Sequence, residues 1–157
     1  MTVSWTIPIS SQIRAVAENM RPVDAEECRL MSGLKPLDAL QVGVEASHAV
    51  FCALADGVPV AIFGGCNGSA MAPENGMIWE LGTTWIDSHP LTFARHSRRG
   101  LAMLWDSLDV DRVSNYVWVE NEASRRWLYW LGASFGGKAV VSAHGGAFLP
   151  FTLERGG

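Results

Sequence analysis

The sequence predicts an α/β domain of the α+β kind, a central mixed, mostly antiparallel sheet flanked by helices. Three observations carry this. Short apolar stretches with the two-residue period of strands interleave with stretches whose apolar residues recur every three to four positions. Asp56-Gly57 lies between two apolar runs, as in a hairpin turn. The 157 residues fit one domain, 1–157, large enough to bury a core.

The elements follow in order. Val3 to Ile9 alternates as a first strand, with Pro8 marking it as an edge. Ser10-Ser11 caps a helix that carries Ile13, Val16, Ala17 and Met20 at helical spacing, and Pro22 breaks it. Asp24 caps the next helix, Ala25 to Ser32, which Gly33 ends. Pro36 opens a third, where Leu37, Leu40 and Val44 share a face. His48 to Ala55 and Val58 to Phe63 are the hairpin strands, and residues 66–76, rich in Asn, Gly, Ser and Pro, read as a loop. Met77 to Ile86 is the next strand. It sends Trp79, Leu81, Thr83 and Trp85 to one side and Ile78, Glu80, Gly82, Thr84 and Ile86 to the other. Residues 87–96 connect to a helix expected from about Ser97, with Leu101, Leu104, Trp105 and Leu108 as its apolar stripe. Val113 to Val119, apolar on both faces, suits a central strand. A short helix, Ala123 to Leu131, stops at Gly132, and strands at Ala139 to Ala143 and Phe148 to Leu153 close the chain.

Composition narrows the class. Hydrophobic residues make up 48%, charged residues 18%, and seven are Trp, which excludes a disordered chain, a collagenous repeat and a small disulfide scaffold. A net charge of −4 argues against a nucleic-acid partner. The three cysteines, Cys28, Cys52 and Cys66, are odd in number and form no CxxC pair, as expected of reduced thiols in the cytoplasm. The N-terminus lacks a signal-peptide pattern, and no apolar run is long enough to span a membrane. His48, His89, His96 and His144 are unclustered, so no metal site is expected. The charge is uneven: residues 1–94 hold four bases and ten acids, while residues 95–126 hold six arginines and five acids. Arginine binds oxyanions with a planar fork, so the second stretch suits phosphates and the acidic first part suits a cationic amine.

The run Ser97-Arg98-Arg99-Gly100-Leu101-Ala102 follows a strand and is expected to open a helix. A helix start offers free N–H groups and a positive dipole end to an anion, and Gly100 would allow close approach of a phosphate. Ordinary solvated arginines at a helix start are the alternative.

On these residues the chain resembles the GNAT superfamily of acyl-CoA-dependent N-acyltransferases. Gly100 and Ala102 match the last two fixed positions of the family's pyrophosphate loop, while Ser97 stands where Gln or Arg is expected. Asn121 and Gly132 match a later strand-end Asn and Gly. A narrower resemblance rests on Asn19-Met20-Arg21-Pro22-Val23-Asp24, on Asp56 to Gly64, on Trp79-x-Leu81-Gly82-Thr83, and on Asn121-x-x-Ser124-Arg125-Arg126-Trp127-Leu128-x-Trp130-Leu131-Gly132. These are similar to small GNAT-like proteins of tailed bacteriophages related to the T7-like internal core or virion-assembly protein.

The resemblance implies a donor, acetyl-CoA or CoA, held by Leu81, Gly82, Thr83, Ser97, Arg98, Arg99, Gly100, Leu101, Ala102 and Asn121. It implies a small amine or protein amine as acceptor. Acyl transfer needs a base, donors to the thioester carbonyl and an acid for the thiolate. Glu80 is the expected base, in mid-strand where burial would raise its pKa. Asn121 and Tyr129 complete the expected catalytic set. The family's Tyr falls here on Leu128, and one residue further rotates Tyr129 by about 100° onto the face of Arg125 and Arg126. Tyr116, Ser124 or water could act instead. The alternative function is a non-catalytic protein of virion assembly, or one that binds a host protein. A homodimer or a virion protein is the expected partner, and the cytoplasm of an infected bacterium, or the virion, the expected location.

Overall fold

The computed structural model describes residues 1–156. Seven strands form one sheet in the order β1-β2-β3-β4-β5-β7-β6. They are β1 (Val3–Thr6), β2 (Ala49–Ala55), β3 (Val58–Cys66), β4 (Asn75–Gly82), β5 (Arg112–Trp118), β6 (Val140–Val141) and β7 (Ala147–Glu154). Every neighbouring pair is antiparallel except β4 and β5, which run parallel. The helices are α1 (Ser10–Glu18), α2 (Pro22–Ser32), α3 (Pro36–Ala46), α4 (Trp85–Ser88), α5 (Pro90–Ser107) and α6 (Glu122–Leu131).

The hairpin forms as its turn chemistry requires. Asp56 (φ 48°) and Gly57 (φ 82°) both occupy the left-handed region that Asp-Gly turns favour. Alternation along β4 then sorts the side chains into two cores. Ile78 joins a core with Phe63, Leu104, Val113 and Phe151 beneath α5 and α6. Trp79 and Leu81 join a second core with Val16, Leu40, Cys52 and Ile62 beneath α1, α2 and α3.

Several boundaries differ from expectation, among them the end of the first strand at Thr6, the cap of α1 at Ile9 and the two-residue β6, and three matter for the site. β4 stops at Gly82 instead of reaching Ile86. Thr83 folds back, its N–H and hydroxyl both donating to Val60 O, and Trp85 and Ile86 enter the short α4. α5 opens at Pro90 instead of near Ser97, with Pro at a first-turn position that needs no N–H donor. α2 opens at Pro22 with Arg21 as its N-cap. Asp24 therefore does not cap the helix; its Oδ2 accepts from Gly82 N at 2.9 Å, tying α2 to the end of β4.

The sheet divides at β4 and β5. Only Asn75, Gly76 and Met77 pair with Arg112, Val113 and Ser114. Beyond them the strands diverge, and Asn115 Nδ2 bridges the fork by donating to Ile78 O at 2.7 Å.

Candidate functional site

The fork is the site. In a strand, the N–H and C=O of one residue point to the same edge and alternate from residue to residue. On β4 the edge facing the gap belongs to Ile78, Glu80 and Gly82. Ile78 O is taken by Asn115, and Gly82 is taken at both ends, its N–H by Asp24 and its C=O by Arg21 N at 2.9 Å. Thr84 N donates to Asn19 O at 3.1 Å, so residues 19–21 lie along the last rungs of this edge. Glu80 is left with its main-chain groups facing the gap.

Two cavities meet at the fork. The first, about 600 Å³, lies between α5 and α6 and is lined by Arg21, Arg95, Arg98 and Arg126 against Glu80 and Asp87. Arg98 lies 4.0 Å over the Trp130 ring and donates to Trp130 O, which fixes its guanidinium on this wall. Buried Arg21 pairs with Asp87 at 3.0 Å and with Asp24 at 3.8 Å. The second cavity, about 500 Å³, opens on the α2 and α3 side. It is lined mainly by apolar side chains such as Met31, Val42, Trp79 and Leu128, and Glu27 and Glu80 are its charged residues among those described. Glu80, Ser124 and Trp127 line both cavities.

The carboxylates are under strong electrostatic strain. Glu80 Oε1 is buried and has no hydrogen-bond partner. Burial first, then the nearby Asp24, holds the Glu80 carboxyl well above the usual range, with Arg21 opposing. Burial pushes Glu27 up to about 7, although its Oε2 accepts from Trp118 N and Asn121 Nδ2. For Asp24 burial outweighs the Arg21 guanidinium, so its pKa is also raised. Cys28 and Cys52 are driven to about 12 by burial, which removes them as nucleophiles near neutral pH.

The expected donor-binding residues scatter. With α5 starting at Pro90, Ser97 to Ala102 lie inside the helix, where backbone N–H groups are already used. Ser97 is buried; its hydroxyl donates to Ala94 O and accepts from Trp127 Nε1 at 2.9 Å. Gly100 is a packing residue, since an added Cβ would come within 2.4 Å of the Trp5 ring. Arg99 and Ala102 are exposed and line neither cavity, whereas Leu101 lines the apolar one. Leu81 pairs with Ile62 in the β3–β4 ladder, and Gly82 and Thr83 are engaged as described. Of the expected run, Arg98 alone reaches the arginine-lined cavity. Asn121 caps α6 by accepting from Ser124 N, so it positions Ser124 and Glu27. Tyr129 is 75% exposed on the outer face of α6 and lines neither cavity. Ser124 and Tyr116, the other acid candidates, line the apolar cavity.

Sequence reasoning missed Arg21, Asp24, Glu27, Arg95 and Arg126 as site residues. A signal existed for the acids: Asp24, Glu27 and Cys28 share one helical face, and an amphipathic helix turns such a face inward.

No family model matches the chain, and no curated protein matches it in sequence. Solved structures match in fold. An N-acetyltransferase from Staphylococcus aureus Mu50 superposes with a TM-score of 0.70 at 9% identity over 98% of this chain and 99% of its own. A GNAT-family acetyltransferase from Bacillus anthracis gives 0.66 at 9% identity over 97% and 94%. An aminoglycoside acetyltransferase solved with ribostamycin and coenzyme A gives 0.70 at 16% identity over 99% and 94%. The forked seven-stranded sheet described above is the fold of the GNAT acetyltransferases.

Proposed function

We propose that this chain is an acetyl-CoA-dependent N-acyltransferase with an amine acceptor. The observation that carries the reading is Glu80: a buried carboxyl without a partner, standing where an arginine-lined cavity meets an anionic one. Such a group has the raised proton affinity of a general base and nothing in the chain that claims it.

The residues fit a coenzyme A donor in the α5–α6 cavity. Arg95, Arg98 and Arg126 would hold its diphosphate, replacing the role expected of the Ser97 to Ala102 run. The orphaned Glu80 side chain and its main-chain edge mark the inner end. Coenzyme A bound in the matching structure of the aminoglycoside acetyltransferase supports the choice. When bound, acetyl-CoA supplies an activated acyl group. Glu80 takes the proton that the acceptor amine must lose. Its burial keeps water away from that proton, and the Trp127 ring lines both cavities. Ser124, whose N–H is held at the first turn of α6 by the Asn121 cap, is the one acid candidate that lines both cavities.

One observation favours a second reading, a GNAT-like protein that binds a partner without catalysis. Residues 19–21 and Asp24 already occupy the β4 edge at Gly82 and Thr84. Service in a phage virion or against a host protein rests on the sequence motifs, and so do infected-cell cytoplasm and virion as locations.

Calorimetric titration with acetyl-CoA separates the readings. The enzyme reading expects saturable micromolar binding that Arg95→Glu and Arg126→Glu weaken. No binding up to millimolar acetyl-CoA overturns it and leaves the binding-protein reading. Defective particles from phage carrying a deletion of the gene would support the virion role, and normal assembly would sink it.

A further inference from the structure

The acceptor cavity carries more than a base. Three carboxylates, Asp24, Glu27 and Glu80, converge around one guanidinium, that of Arg21, and Arg21 is shared further with Asp87. Glu27 spends Oε2 on Trp118 N and Asn121 Nδ2, and Glu80 Oε1 has no partner at all. A buried anion without a counter-ion is expensive. Of these groups Glu27 and Glu80 line the apolar cavity, which has no other charged residue and no cation among those described. Burial therefore favours the neutral form of these carboxyls, and a cation entering at the inner end is the group that would let them ionise.

The rest of the cavity says what should carry that charge. Met31, Leu34, Val42, Leu81 and Leu128 line it, with the Trp79 ring across from them. Trp79 Nε1 is already spent on Ser47 Oγ at 2.8 Å. Ser32, Asn115, Tyr116 and Ser124 are the cavity's uncharged polar side chains, and a ligand rich in hydroxyls would leave the rest of its groups without partners against the apolar wall, at a cost for each. An apolar stem would instead be favoured in proportion to the area it buries. The volume of about 500 Å³ is that of a small-molecule site.

We propose that the acceptor is a primary amine on an apolar stem, alkyl or aryl, seated ammonium-first against Glu80 and Glu27. The assignment rests on the acyl-transfer reading for its chemistry but not for binding, which is measured without coenzyme. Transfer forms the amide C–N bond and breaks the thioester C–S bond; the ammonium's surplus proton and the N–H proton leave through Glu80 and solvent, one of them reaching the thiolate.

The test titrates the intact protein with octylamine and phenethylamine, then with octanol and phenethyl alcohol, following tryptophan fluorescence from Trp79 and Trp127. The amines should saturate the signal and bind at least about tenfold more tightly than the alcohols, the discrimination one ionic hydrogen bond supplies. Glu27→Gln should narrow that gap. Met31→Trp, at a rim position that is 42% exposed and tolerant of bulk, should weaken both amines. Equal affinity for amine and alcohol, tighter binding of spermidine than of octylamine, or amine binding unmoved by Met31→Trp would each overturn the assignment. Amine binding together with no acetyl-CoA binding supports the assignment and sinks acyl transfer. Acetyl-CoA binding with no amine binding does the reverse.

Discussion

The two cavities share Glu80, Ser124 and Trp127 but differ in charge and in the elements that build them. The one between α5 and α6 takes four arginines, three of them from segments after residue 94. The one beside α2 and α3 takes two glutamates and an apolar wall. The sheet makes this contrast possible. Because β4 and β5 part after three rungs, a single side chain on β4 can face both sides of the fork. Two ligands of opposite charge can then approach one carboxyl without sharing a wall of like sign.

The sharpest way to break the comparison is at the shared residue. Glu80→Gln should cut acyl transfer by about 10²- to 10⁴-fold, the usual span for a general base, while acetyl-CoA affinity stays within a few-fold. Steady-state rates beside calorimetry would show it. The wild-type rate should also rise with pH through a titration above the ordinary carboxylate range, because the base must be ionised to act.

Next is the arginine wall. The double change Arg95→Glu with Arg126→Glu should lower acetyl-CoA affinity by about 100-fold, two charge-assisted bonds being lost. Octylamine affinity should not follow it. Parallel losses of both affinities would mean that the cavities are not independent.

Glu27 tests the anionic side through stability. Its folded pKa, about 7, lies above the unfolded value of 4.5. Between those values the folded state holds a proton that the unfolded state has lost, so ionisation costs stability as pH rises from 4.5 to 7. Glu27→Gln should therefore stabilise the protein above pH 7 by roughly 2 kcal/mol, at about 1.4 kcal/mol per pKa unit less the weakened hydrogen bonds. The gain should vanish below pH 4.5, where both states are protonated. Denaturant melts at both ends of that range would measure it.

The smallest effect distinguishes packing from binding. Gly100→Ala forces a methyl group towards the Trp5 ring and should cost about 1–2 kcal/mol of stability. Acetyl-CoA affinity in the folded protein should not change. A lost affinity with an unchanged melting temperature would restore Gly100 to the phosphate site.

Much of the fold is written locally. Alternation along β4 places Glu80 on the inward face beside Ile78, and the Asn121 cap and the Gly132 stop, in the left-handed conformation at φ 103°, bound α6. α5 starts at Pro90 and not near Ser97 because a first-turn Pro is a stronger boundary signal than the later Gly100. Two other features could not be read locally. Asp24 bonds Gly82 across 58 positions, and Glu27 reaches Trp118 across 91. Each looks like any acid on a helix until the topology folds α2 over the fork.

The same seam has a mechanical meaning. β1 begins the chain in one half of the sheet, and β7 ends it in the other. Three rungs between β4 and β5 join these halves, against four between β1 and β2 and seven between β5 and β7. Under a load between the two halves this is the seam with the fewest rungs, and its opening would widen the gap that Glu80 faces.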